Sequence, residues 1–296
     1  MTYLLFAIIS YFLNSVAVTV DKFLLTKTIP DPLIYIFYFS LISLFALFAI
    51  PFVHTPSLEV FFLASISTLA WTFGAYLMFW ALKSDQVQRV IPVIGTITPL
   101  VLLIFASQAR SITNHQTVAI TLLILGIIFL TLQDLKGKLI KEEIILEVCS
   151  AVFFAISYYM LRLAFEKESF LTVLVWSRPI LLPLGILFLI IPFLRKKIKF
   201  ILHSPKQIVQ KGGPIFLLGQ LSAGASELLL TFSISLANPA IVNSLQGIKY
   251  VFLLTFSLIL GKKYPQIFKN KFSPVFLTSQ ILGIGFIGVG LYLLLI

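Results

Sequence analysis

Apolar positions along this chain neither alternate nor recur as a single helical stripe. They fill blocks near 20 residues long, separated by short runs that carry charge, proline or glycine. A helix rises 1.5 Å per residue, so about 20 apolar residues cross a hydrocarbon layer roughly 30 Å thick. With boundaries set at charges, Pro and Gly, the pattern predicts ten helical spans: 3–20, 33–53, 58–82, 87–106, 116–132, 144–164, 171–194, 214–236, 239–260 and 274–296. The expected fold class is therefore an all-α integral membrane protein with ten transmembrane helices. Connections are short, the longest being 195–213, and nothing is left over for a soluble domain. Residues 1–6 hold no Lys or Arg, and no small-residue cleavage pattern follows, so the first block reads as a retained span rather than a signal peptide.

Composition excludes a soluble reading. Of the 296 residues 59% are hydrophobic and 11% charged, against about 25% charged in an average soluble domain. A net charge of +11 in a soluble protein would point to nucleic acid. Here 17 of the 22 Lys and Arg lie in the short loops after spans 1, 3, 5, 7 and 9, counting Arg89 at the first turn of span 4 with the loop before it, so the charge signals topology and no nucleic-acid partner is expected. Arg110, Arg162 and Lys167 alone lie on the opposite side. By the positive-inside rule the basic loops are cytoplasmic and both termini face outside. Cys149 is the one cysteine, which excludes an intrachain disulfide and a four-thiolate metal site.

The two halves read alike. Residues 10–53 can be laid on 150–194, with Lys22 near Arg162 and Ile50-Pro51-Phe52 near Ile191-Pro192-Phe193. Ile124-Leu125-Gly126-Ile127 matches Ile281-Leu282-Gly283-Ile284, and 82–99 can be laid on 236–252. The expected organisation is two five-span repeats, 1–137 and 138–296. An odd number of spans per repeat inserts the second copy upside down, the inverted arrangement of many secondary transporters.

Ionisable groups at membrane depth cost roughly 2.5 to 3.5 kcal/mol each, so each is expected to face a partner or a wet cavity. Arg178, Glu227 and Lys249 stand inside predicted spans. Lys249, with Arg178, would supply positive charge for a substrate carboxylate or phosphate, and Glu227 would take an amine or a proton. The alternative is that Glu227 pairs with one cation to join helices, or that Arg178 snorkels to the interface. Pro239, Asn243, Gln246 and Lys249 or Tyr250 recur at spacings of three and four and form one helical stripe, which faces a cavity or serves as interhelical glue. The matching stripe on span 4 is Gln88 or Arg89, Pro92, Thr96 and Pro99. Trp71, Tyr76 and Trp80 in span 3 either wall the same cavity or pack and anchor, the anchor reading being preferred for Trp80. Asn14, Tyr158, Tyr159 and Gln220 are further polar candidates.

Gly283, Gly285, Gly288 and Gly290 have the composition of a phosphate loop without its Lys-Ser/Thr ending, and read as small residues that let helices approach. His54, His115 and His203 fall in loops, and no metal or nucleophile-elbow motif lies within a span. No metal, cofactor or enzymatic chemistry is expected.

Ten spans, the duplication and the stretch 235–263 (SLANPAIVNSLQGIKYVFLLTFSLILGKK) resemble the drug/metabolite transporter superfamily, in particular its ten-span EamA-like members, over nearly the whole chain. The resemblance implies that a segment of small and polar residues leads into span 9, which lines the path and ends in a Gly-Glu-Arg-like turn. Gly261-Lys262-Lys263 holds that place, with Lys262 where the family has Glu, and Arg110 stands almost alone after span 4. Members commonly have both termini inside, opposite to the charge count, which we follow. Similar carriers of phosphorylated and nucleotide sugars use basic residues late in the chain, which by fold-level analogy implies an anionic group facing Lys249.

The expected function is a secondary transporter, an exporter of a small polar metabolite such as an amino acid or organic acid, with alternating access at the repeat interface. Expected partners are that small-molecule substrate and membrane lipid, a homo-oligomer is compatible, and the expected location is the cell membrane. Two rivals belong to other classes: a membrane enzyme acting on lipid-linked substrate with Glu227 as general base, and a noncatalytic assembly subunit whose buried charges only join helices.

Overall fold

Polar caps and prolines punctuate the apolar blocks. Asp31 accepts from Leu33 N at 3.0 Å with Pro32 opening the helix behind it, and Asn238 accepts from Ala240 N at 2.9 Å with Pro239 in the same position. A short polar side chain satisfies one of the first free N–H groups, and proline needs none. The computed structural model describes residues 2–27, 31–84, 87–108, 112–131, 141–192, 194–196, 205–261 and 274–295.

Its α-helices are α1 (Thr2–Lys27), α2 (Pro32–Ser43), α3 (Leu58–Ser84), α4 (Val87–Gln108), α5 (Asn114–Thr131), α6 (Lys141–Phe165), α7 (Phe170–Trp176), α8 (Leu181–Ile190), α9 (Pro205–Leu236), α10 (Pro239–Ser244), α11 (Gly247–Leu260) and α12 (Pro274–Leu295). A 3-10 segment, Leu44–Phe52, continues α2. Among the described residues there is no strand. Among the described residues six stretches are long and apolar enough to cross a bilayer: Thr2–Leu24, Leu58–Ser84, Ile144–Phe165, Phe170–Leu187, Leu217–Leu236 and Pro239–Leu260. Phe39–Phe52, Val90–Ala106, Asn114–Phe129 and Thr278–Leu293 are shorter apolar helices. The chain is an all-α, multi-pass membrane protein. Its outer surface agrees, since Phe48, Phe52 and Ile259 are 77%, 80% and 71% exposed, an apolar skin that water would not tolerate.

The polar groups lie inside. α1 packs most extensively on α9, α3 on α6, and α5 on α12. Ser10 Oγ donates to Ser226 O at 2.8 Å and Ser233 Oγ to Tyr3 O at 3.1 Å, so α1 and α9 run antiparallel. Ser150 Oγ donates to Gly74 O at 2.7 Å, and Ser67 and Ser157 share a bond at 3.1 Å, so α3 and α6 do the same. In lipid, interhelical bonds of this kind contribute roughly 0.6 to 2 kcal/mol each.

The α5–α12 seam depends on missing side chains. A Cβ at Gly126 would meet Ile287 Cγ1 at 2.7 Å and the backbone oxygen of Gly283 at 2.9 Å, whereas at Gly288 it would meet nothing within 4 Å. Because one obstacle is backbone, rotation of Ile287 cannot relieve it. Gly126→Ala is expected to destabilise by about 1–3 kcal/mol, the usual cost of overpacking, and Gly288→Ala to be neutral or mildly stabilising. Thermal denaturation of the two variants side by side checks this, and equal midpoints would refute the close-approach account.

Helix limits differ from the sequence expectation where charge or proline was taken as a boundary. α1 runs past residue 20 because Asp21 and Lys22 are buried against neighbouring helices, Lys22 Nζ donating to Leu82 O at 2.7 Å. The predicted span 171–194 is interrupted at 177–180, and 239–260 at Leu245 and Gln246. Residues 205–213, read as a basic connection, are the first turns of α9.

Candidate functional site

Proline creates the first of two polar clusters. Pro179 has no N–H and restricts the residue before it, so α7 stops at Trp176 in the middle of an apolar block. The turn that follows is closed by Arg178 N to Val175 O at 3.2 Å and Leu181 N to Arg178 O at 2.9 Å. It carries Arg178 to a cleft shared with Phe39 of α2, Ser67, Thr68 and Trp71 of α3, and Glu227 and Thr231 of α9. Ser157, Leu161 and Phe165 of α6 complete one wall. The cleft is narrow, with free space of about 20 Å³, room for about one water molecule, so a larger ligand enters only as its walls part. Glu227 lies nine residues before the end of α9 at Leu236, roughly 14 Å along the helix axis and so near mid-membrane.

Arg178 and Glu227 lie within electrostatic reach of one another across the cleft but form no direct ion pair. None of the ion pairs among the described residues, which include His54–Glu168, Arg162–Glu166 and Lys167–Glu59, joins Arg178 to Glu227. Phe39 stacks on Trp71 with ring centroids 4.3 Å apart and planes at 22°, and Phe154 meets Trp71 edge-on at 5.9 Å. The indole N–H of Trp71 interacts with the side chains of Glu227 and Tyr158 without a strict hydrogen bond to either. The arrangement can hold an anion at Arg178, a cation at Glu227 and a flat or apolar group against the aromatic pair.

The second cluster surrounds the break between α10 and α11. There the backbone tightens, with Leu245 N to Val242 O at 3.3 Å and Gln246 N to Asn243 O at 3.2 Å, and Tyr11 donates to Val242 O at 2.9 Å. Lys249 Nζ donates to Asn14 Oδ1 at 3.2 Å and lies 5.8 Å from the Tyr250 ring. Gln246 Nε2 is buried and without a hydrogen-bond partner. Tyr11 lies within electrostatic reach of both Glu227 and Tyr250, and so connects the two clusters.

The sequence candidates thus divide. Arg178, Glu227 and Trp71 share the cleft, and Lys249, Asn14 and Gln246 belong to the second cluster. The Asn243 amide donates to Pro239 O at 3.0 Å, and the Thr96 hydroxyl to Pro92 O at 2.9 Å, both within their own helices. Tyr76 packs edge-on against Trp80 at 6.5 Å and does not line the cleft. The side chains of Gln88 and Arg89 lie outside the described residues.

Sequence reasoning missed the cleft hydroxyls of Ser67, Thr68, Ser157, Ser177 and Thr231, and the Phe39 ring. Ser and Thr in helices ordinarily bond back to their own turn, as Thr231 does to Glu227 O at 2.8 Å, so a single sequence does not mark those that also face a cavity. Tyr11 was equally silent, being one aromatic among many in an apolar block.

No protein-family model matches the chain, and no curated protein matches it. Solved structures do: one, described only as the crystal structure of a protein, aligns over 99% of this chain and 97% of its own at 14% sequence identity with a TM-score of 0.64. At that identity the likeness is one of fold alone.

Proposed function

We propose that the chain is a secondary transporter, an exporter of a small polar metabolite such as an amino acid or organic acid. It would be built as ten spans in two inverted repeats, 1–137 and 138–296, in the manner of the EamA-like transporters it resembles. The observation that carries the reading is the cleft near mid-membrane, lined from both halves and holding one cation and one anion that face each other without a direct ion pair. Charges are retained at that depth where something polar must be bound. The cleft also favours transport over an assembly subunit, which needs no cavity.

Three features support the inverted repeat. The six long and four shorter apolar helices match ten spans. Exchanging the halves turns the α1–α9 pairing into α6–α3 and maps α5–α12 onto itself, and Ser10 to Ser226 O is answered by Ser150 to Gly74 O. Lys22, donating to Leu82 O, is answered by Arg162, donating to Ile234 O and Ser235 O at 3.1 and 2.9 Å. Each cation caps the C-terminal end of the long third helix of its own half, where cations are favoured. The two caps stand at opposite ends of α3, since Lys22 meets its last turn and Lys167, near Arg162, pairs with Glu59 in its first.

At the Arg162 end the halves are bridged by His54–Glu168 at 2.8 Å, by Lys167–Glu59, and by Trp176 Nε1 donating to His54 O at 3.0 Å. In alternating access these bridges part as the halves rock. The charge count places this end, with both termini, outside a cell membrane.

A zwitterion suits the cleft, with its carboxylate at Arg178, its ammonium at Glu227 and its apolar part against Phe39 and Trp71. A thermal-shift screen of the purified protein against amino acids, organic acids, phosphosugars and cationic drugs tests this, because a ligand at 100 times its Kd stabilises by about 2.7 kcal/mol. We expect amino acids to score, and Lys249→Ala, outside the cleft, to weaken the shift without abolishing it. Absence of any hit among amino and organic acids would count against transport of a polar metabolite.

A further inference from the structure

Asp21 occupies a position for which transport through the cleft has no use. It is 5% exposed, and its Oδ1 is buried with no hydrogen-bond partner. The neighbouring cation does not serve it, because successive residues point about 100° apart on a helix and Lys22 gives its ammonium to Leu82 O at 2.7 Å. The facing wall is Gly219 of α9, where a Cβ would stand 2.6 Å from Val20 Cγ1 and 3.9 Å from Asp21 Oδ1. The two helices therefore approach as closely here as a glycine permits.

The surrounding elements hold no described counter-charge. α9 has no charged residue from 214 to 226 and α11 none from 250 to 261, while Lys83 at the end of α3 lies over the Trp80 ring at 5.0 Å. A carboxylate cut off from water and from partners is strongly disfavoured as the ion and persists by taking up a proton. A metal cation would need several converging oxygens, and a single carboxyl facing a glycine does not supply them.

We infer that Asp21 is a proton-binding site, its carboxyl held in the neutral form by the closed α1–α9 seam. Parting the seam at this end would admit water and release the proton. Joined to the transport reading, on which only this consequence rests, Asp21 makes the proton the coupling ion.

Infrared spectroscopy of the purified full-length protein near neutral pH tests the site directly. The wild type should show the carbonyl band of a protonated, weakly hydrogen-bonded carboxylic acid, shifted in heavy water, and Asp21→Asn should lose it while Glu227→Gln, and Glu147→Gln at the buried carboxyl of α6, keep an Asp21 band. Thermal midpoints give a second readout: the wild type should lose stability from mildly acidic to mildly alkaline pH more steeply than Asp21→Asn, whose amide imitates the neutral acid. Gly219→Ala, which presses its Cβ on Val20 and parts the seam, should lose most of the band with the carboxyl still present. No difference band between wild type and Asp21→Asn overturns the inference, and an unchanged band in Gly219→Ala overturns the part assigned to the seam. Failure of transport alone would leave the band in place, whereas failure of the proton site would remove the band and leave any flux intact.

Discussion

Glu227→Gln should stop the protein from binding amino acids while sparing organic acids, and Arg178→Ala should remove both. The two variants differ because each deletes one half of a bipolar site. A charge-assisted hydrogen bond contributes about 1.5–3 kcal/mol, and leaving a desolvated charge without its partner raises the loss to roughly 2–5 kcal/mol. At 1.4 kcal/mol per decade, affinity should fall by a factor of roughly 30 to 3,000. Glu227→Gln keeps the shape and polarity of the side chain, so a ligand with no amine loses nothing at that end. Arg178 and Glu227 attract one another without forming an ion pair, so each variant should cost less in unliganded stability than in affinity. Titrating an amino acid and its deaminated analogue against the three proteins, by calorimetry or thermal shift, reads the pattern. Equal loss of both ligands in Glu227→Gln would remove the bipolar reading, and a large drop in unliganded melting temperature would reassign the two residues to helix packing.

The helical, membrane-embedded character of the chain was legible in the sequence because it follows from block length and composition, which need no partner to interpret. Breaks within helices were partly legible. Ser177-Arg178-Pro179 carries the signal of an interruption, yet it was subsumed in one span because both flanks are apolar. The break at Leu245 and Gln246 has only Gly247 beside it as a local signal. Tyr11 donating to Val242 O at 2.9 Å supports it from outside, a tertiary contact that no local pattern announces. Charge was the strongest guide to the site, since Arg178 and Glu227 meet in one cleft, but it also misplaced a boundary. Asp21 and Lys22 were read as the end of a span, whereas both are buried, at 5% and 7% exposure. Lys249 and Glu227 share no contact because α10 and α11 turn the former toward Asn14 of α1, and sequence spacing is silent about which neighbour a helical face meets.

That dependence on neighbours underlies the second large effect. Gly95 lies in α4, where alanine would ordinarily stabilise by about 0.5–1 kcal/mol. Its missing side chain is instead the space occupied by Tyr250. A Cβ at Gly95 would fall on the Tyr250 hydroxyl oxygen and lie 2.9 Å from Cζ and 3.1 Å from Gln246 Oε1. Tyr250 is 5% exposed and its hydroxyl donates to Ile91 O at 2.8 Å, so the ring cannot step aside without losing that bond. Overpacking costs about 1–3 kcal/mol and the lost hydrogen bond about 0.5–1.5 kcal/mol, together larger than the propensity gain. Gly95→Ala is therefore expected to destabilise by roughly 1–4 kcal/mol, a substantial part of a typical 5–15 kcal/mol. Tyr250→Phe should relieve it only in part, because Cζ still obstructs. Tyr250→Ala, destabilising alone by the cavity it leaves, should make Gly95→Ala nearly harmless, giving a coupling of about 1–3 kcal/mol in the double-mutant cycle. Thermal denaturation of the four proteins measures that coupling. Additive losses would mean that Gly95 and Tyr250 do not share one space, and that the α4 contact does not hold α11 in place beside the break in its span.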